Sequence, residues 1–391
     1  MRNDRVIIID EPSDHQSNDK GHRSSRDFTS HLWTSLPSKK ILFTLIVAAA
    51  FCVLMVFFPR AWKFIPIFSP PWRRPGFYGA DNYTGFSSYV VPNVIHYVRF
   101  GQPNVTFMDA VSMRSAYINH APDHIVVHCD ECLLDGPHSH LVRDIPIIKF
   151  DEILPPMTIF GREVNWIEHA SDVARIQILL KSGGIYLDND CIVVRPLHQF
   201  RHFETSIGWS PEDHMGNMVI LAATGARFLQ LYQELYREYN NSLWYYNAGF
   251  LPTVRLLRPY PHLVHAVPSL FAVDATMLRK LYTPGERTEW RSYFVVHTYI
   301  RHRYLPEDPL YGQKIDLQNV RTYDTHLGEM VREVLFGTSE FVSDETEVQP
   351  VTDLYAAKRL GRNRGRLYEA SIMVEAVAVT LTMCIRTVVD I

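Results

Sequence analysis

The chain has 391 residues, of which 47% are hydrophobic and 12% aromatic, with a formal net charge of −3. That is an ordinary globular composition with enough apolar material for a sizeable core. The near-neutral charge gives no case for nucleic-acid binding or for docking on an anionic membrane surface.

Residues 1–40 are polar and charged and predict a disordered tail. Residues 41–58, ILFTLIVAAAFCVLMVFF, carry no charge. As a helix this run spans roughly 27 Å, about the thickness of a thinner bilayer core. It is apolar on every face and bracketed by Lys39-Lys40 and Arg60/Lys63, which favours a membrane span over a buried core helix. The forty residues ahead of it are too long for the n-region of a cleaved signal peptide, and no small-x-small site follows. Basic residues are in excess on the N-terminal side: Arg2, Arg5, Lys20, Arg23, Arg26, Lys39 and Lys40 against Arg60, Lys63, Arg73 and Arg74. That bias predicts a cytosolic N-terminus and a lumenal remainder, a single-pass type II signal anchor. Residues 59–90, with Pro59, Pro66, Pro70, Pro71 and Pro75, read as a stem. Three sequons, at Asn82, Asn104 and Asn240, agree with lumenal exposure and glycosylation. Cys129 and Cys132 either close a small disulfide loop in an oxidising lumen or stay as thiols; no second C-x-x-C exists to complete a zinc site.

From residue 91 short apolar runs alternate with helical patterns. Residues 91–98 predict a first buried strand, 107–120 a helix, and 124–128 a second strand. Residues 163–181 form the next helix, with Val173, Ile176 and Leu180 on one face and Ser171 or Asp172 placed to cap or charge its start. Strands are expected at 185–188, 192–194, 206–209, 218–222 and 294–297, and helices at 226–239 and 244–257. This alternation predicts an α/β domain over 91–335 with a mostly parallel sheet. Residues 336–391 are a C-terminal extension: an acidic loop at 339–347, then an apolar stretch, 371–389, that Glu375 and Arg386 interrupt and that reads as a packing helix.

The most informative run is Ser182-Gly183-Gly184-Ile185-Tyr186-Leu187-Asp188-Asn189-Asp190-Cys191-Ile192-Val193-Val194. Its glycine pair offers a helix stop without Cβ cost. Two acids one residue apart then stand where a strand ends. Residues two apart on a strand share a face, so both carboxylates aim at one spot and repel unless a cation or proton lies between them. Hard oxygen ligands suit Mn²⁺ or Mg²⁺, metals that carry phosphates. Upstream, Asp172 and Arg175 are spaced i, i+3 on a helix and project to one side.

Three segments together resemble the DXD-containing glycosyltransferases of family 32. They are Val91-Pro92-Asn93-Val94-Ile95-His96-Tyr97, then His169-Ala170-Ser171-Asp172-Val173-Ala174-Arg175, then Leu179 through Asp190. The resemblance covers roughly 90–300 and rests on S-D-x-x-R followed by G-G-x-Y-x-D-x-D. It implies a GT-A (Rossmann-like nucleotide-diphospho-sugar transferase) fold, a nucleotide-sugar donor, a divalent cation, usually Mn²⁺, and retention of anomeric configuration. Position by position it implies Asp190 as metal ligand, and Asp188 as a contact to the donor ribose or to the metal through water. It implies Asp172 and Arg175 as contacts to donor sugar and diphosphate, and Tyr186 as part of the nucleotide pocket. His297 fits the first position of the family's late His-x-x-x-x-Ser-Trp, where the His completes the metal site; His302-Arg303 stand in place of Ser-Trp. Arg99 stands where more distant relatives place a base-stacking Trp.

Asn189, Asp213 and Asn217 are further candidate substrate contacts. Trp209 with Asp213 and Asn217, and the run Trp244-Tyr245-Tyr246-Asn247-Ala248-Gly249, have the aromatic and amide character that suits sugars. The implied protein is a Golgi membrane enzyme moving a hexose or N-acetylhexosamine, with a UDP-sugar favoured, to a glycan or glycolipid acceptor. Two readings compete. One is a catalytically silent membrane-anchored sugar-binding protein, against which the intact acids and Arg175 argue. The other is an aspartyl phosphohydrolase, which Asp188-Asn189-Asp190-Cys191-Ile192-Val193 resembles but whose nucleophile belongs after the first strand of its domain.

Overall fold

The short apolar runs pair side by side into one sheet of seven strands. In the computed structural model residues 81–361 are described, apart from 134, 269–270, 274–276, 284–289 and 301–313. The expected span 41–58, most of the stem and the stretch 371–389 lie outside the described residues. Among the described residues no helix is long and apolar enough to cross a membrane.

The strands are β1 (Val94–Arg99), β2 (His124–Cys129), β3 (Ile148–Glu152), β4 (Thr158–Ile159), β5 (Arg162–Glu163), β6 (Gly184–Leu187) and β7 (Cys191–Val193). They continue as β8 (Thr205–Ile207), β9 (Val219–Ala222), β10 (His265–Ala266), β11 (Phe271–Ala272) and β12 (Val295–His297). The α-helices are α1 (Phe107–His120), α2 (Ile167–Ser182), α3 (Arg227–Leu235), α4 (Met277–Tyr282) and α5 (His326–Phe336). The main sheet runs β10-β8-β9-β6-β1-β2-β3. It is mixed: β9 alone runs against its neighbours, and the other pairs are parallel. A second sheet, β11-β12-β7, receives the chain directly after β6.

Period-two alternation decides the layers. Ile95 and Tyr97, Ile185 and Leu187, and Val219 and Leu221 face one core, shared with α1 and α5. Val98, Tyr186, Ile220 and Ala222 face the other, shared with α2 and α3. The chain winds from β1 outward to β2 and β3, and then returns to place β6 on the other side of β1. In such sheets ligands bind where the winding direction reverses, outside the carboxyl ends of the strands. That crevice lies between β1 and β6.

Three expectations are corrected. The helix expected over 163–181 begins at Ile167, because Arg162–Glu163 pairs with Thr158–Ile159 in a small hairpin. Neither Ser171 nor Asp172 caps it: Trp166 holds the cap position, and Ser171 Oγ donates back to Ile167 O at 3.3 Å. The stretch 244–257 is helical through π-type turns rather than as one α-helix. The glycine pair does end α2, with φ of 64° at Gly183 and 116° at Gly184. A disulfide joins Cys129 and Cys132.

The sequon at Asn82 is also corrected. Asn82 is buried; its Nδ2 donates to Leu263 O at 2.8 Å and His262 O at 3.2 Å, and its Oδ1 accepts from Thr205 N at 3.3 Å. Both Nδ2 hydrogens are used and the side chain is buried, so a glycan on Nδ2 would displace at least one of these bonds and find no room; the amide instead clamps the 81–84 turn to the β8–β10 edge. Asn82→Ala is expected to lower unfolding free energy by about 2–3 kcal/mol, from buried partners left unsatisfied. Urea denaturation measures that, and a glycan found on Asn82 of the folded protein would contradict the clamp.

Candidate active site

At the carboxyl end of β6 the chain turns through Asp188-Asn189-Asp190 and enters β7. Cys191 N donates to Asp188 O at 3.0 Å, closing the turn. Asp188 N donates to Met218 O at 2.9 Å, and Thr298 N donates to Asp190 O at 3.0 Å. Asn189 Nδ2 reaches across the crevice to Val98 O, at 2.9 Å, on β1. The register of the second sheet sets His297 opposite Cys191, and so beside Asp190.

Each carboxylate is anchored through one oxygen. Tyr186 and Asp188 share a face of β6, and the Tyr186 hydroxyl donates to Asp188 Oδ1 at 2.7 Å. The same oxygen lies 3.1 Å from Arg175 Nη1. On Asp190, Oδ2 accepts from Ile300 N at 3.0 Å and Thr298 Oγ1 at 3.2 Å. The other two oxygens converge on His297 Nε2, which is 2.9 Å from Asp190 Oδ1 and 3.9 Å from Asp188 Oδ2.

Behind this layer sits a buried clamp. Arg175 Nη2 lies 3.2 Å from Asp172 Oδ1, and Nη1 donates to Asn217 O at 3.0 Å and Asn217 Oδ1 at 3.1 Å. Asn217 Nδ2 donates to Asp172 Oδ1 at 2.7 Å. The guanidinium lies over the Tyr186 ring, 4.4 Å from its centroid. Asp172 and Arg175 thus share the buried face of α2, with side chains 9% and 6% exposed.

Burial works against charge on Asp190, yet His297, the Ile300 amide and the Thr298 hydroxyl hold its carboxyl down at about 2. Burial also opposes a proton on His297, but Asp190 and Asp188 outweigh it and raise its pKa. The Asp172 carboxyl is raised, by burial first, despite Arg175 and Asn217. Burial pushes the Tyr186 hydroxyl well up, so it stays a donor to Asp188.

One atom from each of Asp188, Asp190 and His297 lies within 4.8 Å of the others, close enough for one cation to touch all three. The cluster holds three acids, Asp172, Asp188 and Asp190, and a single guanidinium, Arg175, which leaves two formal negative charges uncompensated when His297 is neutral. The donor set, two carboxylate oxygens and an imidazole nitrogen, fits Mn²⁺ or Mg²⁺.

The structure therefore brings Asp172, Arg175, Tyr186, Asp188, Asp190, Asn217 and His297 into one cluster. Asn217 enters it as an anchor of Arg175 and Asp172. Asp213 stands exposed on the loop four residues earlier, outside the cluster. Trp209 is buried, its Nε1 donating to Asp213 O at 3.2 Å. Arg99 is buried, 3.3 Å from Asp109, and donates to Gln102 O at 3.1 Å and Asn104 O at 2.7 Å; it holds the loop after β1 rather than presenting a face to a base. Thr298 and the Ile300 amide were not foreseen. The acids follow the sixth strand, so the layout with a nucleophile after the first strand is not adopted.

Residues 113–207 match the model of the glycosyltransferase sugar-binding region containing the DXD motif. Glucan organizing enzyme 1 of Cryptococcus neoformans var. grubii is 26% identical over 260 residues, covering 58% of this chain and 70% of that protein. A human alpha-1,4-N-acetylglucosaminyltransferase is 29% identical over 161 residues, covering 40% of this chain and 45% of that protein. Among solved structures, the glycosyltransferase GlyE of Streptococcus pneumoniae aligns at 10% identity with a TM-score of 0.40, over 68% of this chain and 63% of its own. The galactosyltransferase LgtC aligns at 12% identity with a TM-score of 0.39, over 64% of this chain and 98% of its own. The matched region contains Asp172, Arg175, Asp188 and Asp190 and stops short of Asn217 and His297, which the fold adds. The chain is a glycosyltransferase with a DXD-type sugar-binding region.

Proposed function

We propose that the protein is a metal-dependent glycosyltransferase of GT-A type. It would move a hexose or N-acetylhexosamine from a nucleotide sugar, favoured as a UDP-sugar, to a glycan or glycolipid with retention of configuration. One observation carries this reading: Asp188 and Asp190 are each pinned through one oxygen and present the other, with His297 Nε2, to one spot in the crevice. A divalent cation held there supplies the positive charge that a leaving nucleoside diphosphate needs.

The chain's own residues do the positioning. Tyr186 and Arg175 fix the direction of Asp188, so its free oxygen does not have to be ordered when substrate arrives. Thr298 and the Ile300 amide do the same for Asp190 and tie the turn to the end of β12. Asn189 links that turn to β1 and so fixes the two walls of the crevice relative to each other. The proposal extends to residues 41–58 as a type II anchor in the Golgi membrane, with 91–335 lumenal; the supporting features are the apolar run and the basic excess before it.

The test is a donor panel on the full chain: UDP-galactose, UDP-N-acetylglucosamine, UDP-glucose and GDP-mannose, each with Mn²⁺ and with chelator. One UDP-sugar is expected to raise the melting temperature and release nucleotide only with metal. At about a hundredfold excess over Kd the stabilisation is about 2.7 kcal/mol. Equal binding and turnover in chelator would sink the metal-dependent reading.

A further inference from the structure

The aromatic run after Leu243 builds two π-type turns, Tyr246–Phe250 and Thr253–Leu257. In them Phe250 N reaches back to Tyr245 O at 3.3 Å and Arg258 N to Thr253 O at 2.9 Å. The Tyr245 ring lies directly on Gly249, where a Cβ would meet Tyr245 Cζ at 2.0 Å. Wide turns of this kind are rare and collect at functional sites.

These turns open a groove of about 520 Å³, lined in part by Tyr246, Phe250, Arg255 and Tyr260. The Tyr246 and Phe250 rings lie 25° from parallel with centroids 5.8 Å apart. Phe250 is 42% exposed and Tyr260 38%. The Arg255 side chain is 60% exposed and meets Glu238 only at 3.8 Å, a weak contact in water. The turns that wall the groove are tied to the 213–217 loop, which also carries Asn217 of the candidate active site. The Tyr245 hydroxyl donates to Met215 O, Met215 N donates to Thr253 Oγ1 at 2.9 Å, and the His214 and Phe250 rings lie 5.2 Å apart. Two residues on, Asn217 holds Asp172 and Arg175.

We infer that this groove binds the acceptor glycan, an inference that rests on the glycosyltransferase reading. Pyranose rings present flat C–H faces that pack on aromatic rings and rim hydroxyls that take hydrogen bonds. Tyr246, Phe250 and Tyr260 supply the faces, and Arg255 and the phenol hydroxyls supply the polar contacts. The volume lies within the range of ligand sites. Leu251, Val254 and Pro259 also line the groove, but it is open, and the exposed guanidinium and two phenols at its edge suit a sugar better than a lipid tail. The occupant is therefore the sugar part of the acceptor.

The test is an array of N-glycan, O-glycan and glycolipid-headgroup oligosaccharides probed with the full chain. Wild type is expected to bind a defined glycan, and Phe250→Ala and Tyr260→Ala each to weaken that binding at least about tenfold. Phe250→Tyr and Tyr260→Phe keep the ring faces and are expected to bind within about threefold of wild type. Both positions are well exposed, and melting curves matching wild type confirm folding. Wild-type affinity in both alanine variants overturns the inference, as does failure of wild type to bind any glycan on the array. The array reads binding without turnover, so it can fail while metal-dependent donor turnover succeeds, and the reverse.

Discussion

Asp190→Asn is expected to lower metal-dependent nucleotide release from the preferred donor by about a thousandfold, on the order of 4 kcal/mol of activation free energy. The substitution is nearly isosteric. Its amide oxygen still accepts from Ile300 N and Thr298 Oγ1, the two donors that tie the turn to the end of β12. What it removes is the charge on the oxygen facing His297 Nε2 at 2.9 Å. With Asp190 neutral the cluster keeps Asp172 and Asp188 against Arg175, and the surplus that draws a dication falls from two charges to one. Asp190→Ala loses the anchoring acceptor as well, so it is expected to match Asn in turnover and to melt lower. His297→Ala removes the third of the proposed ligands and leaves both acids; a smaller fall, about ten- to a hundredfold, is expected, with a higher Mn²⁺ concentration needed for half-maximal rate. Nucleotide release measured across a metal titration decides the matter. Wild-type turnover in a folded Asp190→Asn protein would remove the metal assignment altogether.

The acids themselves were legible because strand geometry is simple. A glycine pair, a short apolar strand and D-x-D put Tyr186, Asp188 and a crevice at a strand end in one place. Helix α1 was equally plain over 107–120 from its apolar residues; the structure adds a Thr106–Asp109 capping box at its start and a left-handed Ala121 at its end. The start of α2 was not, because a tertiary event set it: residues 162–163 were drawn into pairing with 158–159. What periodicity had no means of supplying was direction over long range. His297 reaches Asp190 only through the antiparallel register of β12 on β7, about a hundred residues away in sequence, and Thr298 and the Ile300 amide follow from the same register. Asn217 looked like an acceptor contact because amides suit sugars; its burial against Asp172 is decided by β9 pairing beside β6. Asn82 shows the opposite error, where a three-residue pattern matched and the fold had already used the side chain.

For Arg175 one substitution separates the donor contact that the resemblance implies from the buried clamp seen in the fold. The side chain is 6% exposed and engaged by Asp172, Asp188 and Asn217. Burial works against the charge, but Asp188, Tyr186 and Asp172 together hold the guanidinium protonated. Arg175→Met, which fills similar volume without charge, leaves Asp172 buried with no cation beside it. Breaking such a pair from one side is expected to destabilise by about 3–5 kcal/mol, a fall in melting temperature of roughly 5–15 °C. Arg175→Lys keeps a charge but has no planar fork, and one ammonium does not span Asp172, Asp188 and Asn217 together; a loss of about half that size is expected. The pH dependence gives a signature that lost packing would not. Without Arg175 the folded-state pKa of Asp172, already raised by burial, rises further. A carboxyl raised above its unfolded value takes up its proton in the folded state first, so folded stability recovers as pH falls through that raised value. The gap between Arg175→Met and wild type is therefore expected to narrow from neutral toward mildly acidic pH, as Asp172 takes up its proton in the folded variant. Urea denaturation across that range measures it. A melting temperature unchanged from wild type, with turnover alone lost, would show that Arg175 faces the donor and would dissolve the buried clamp.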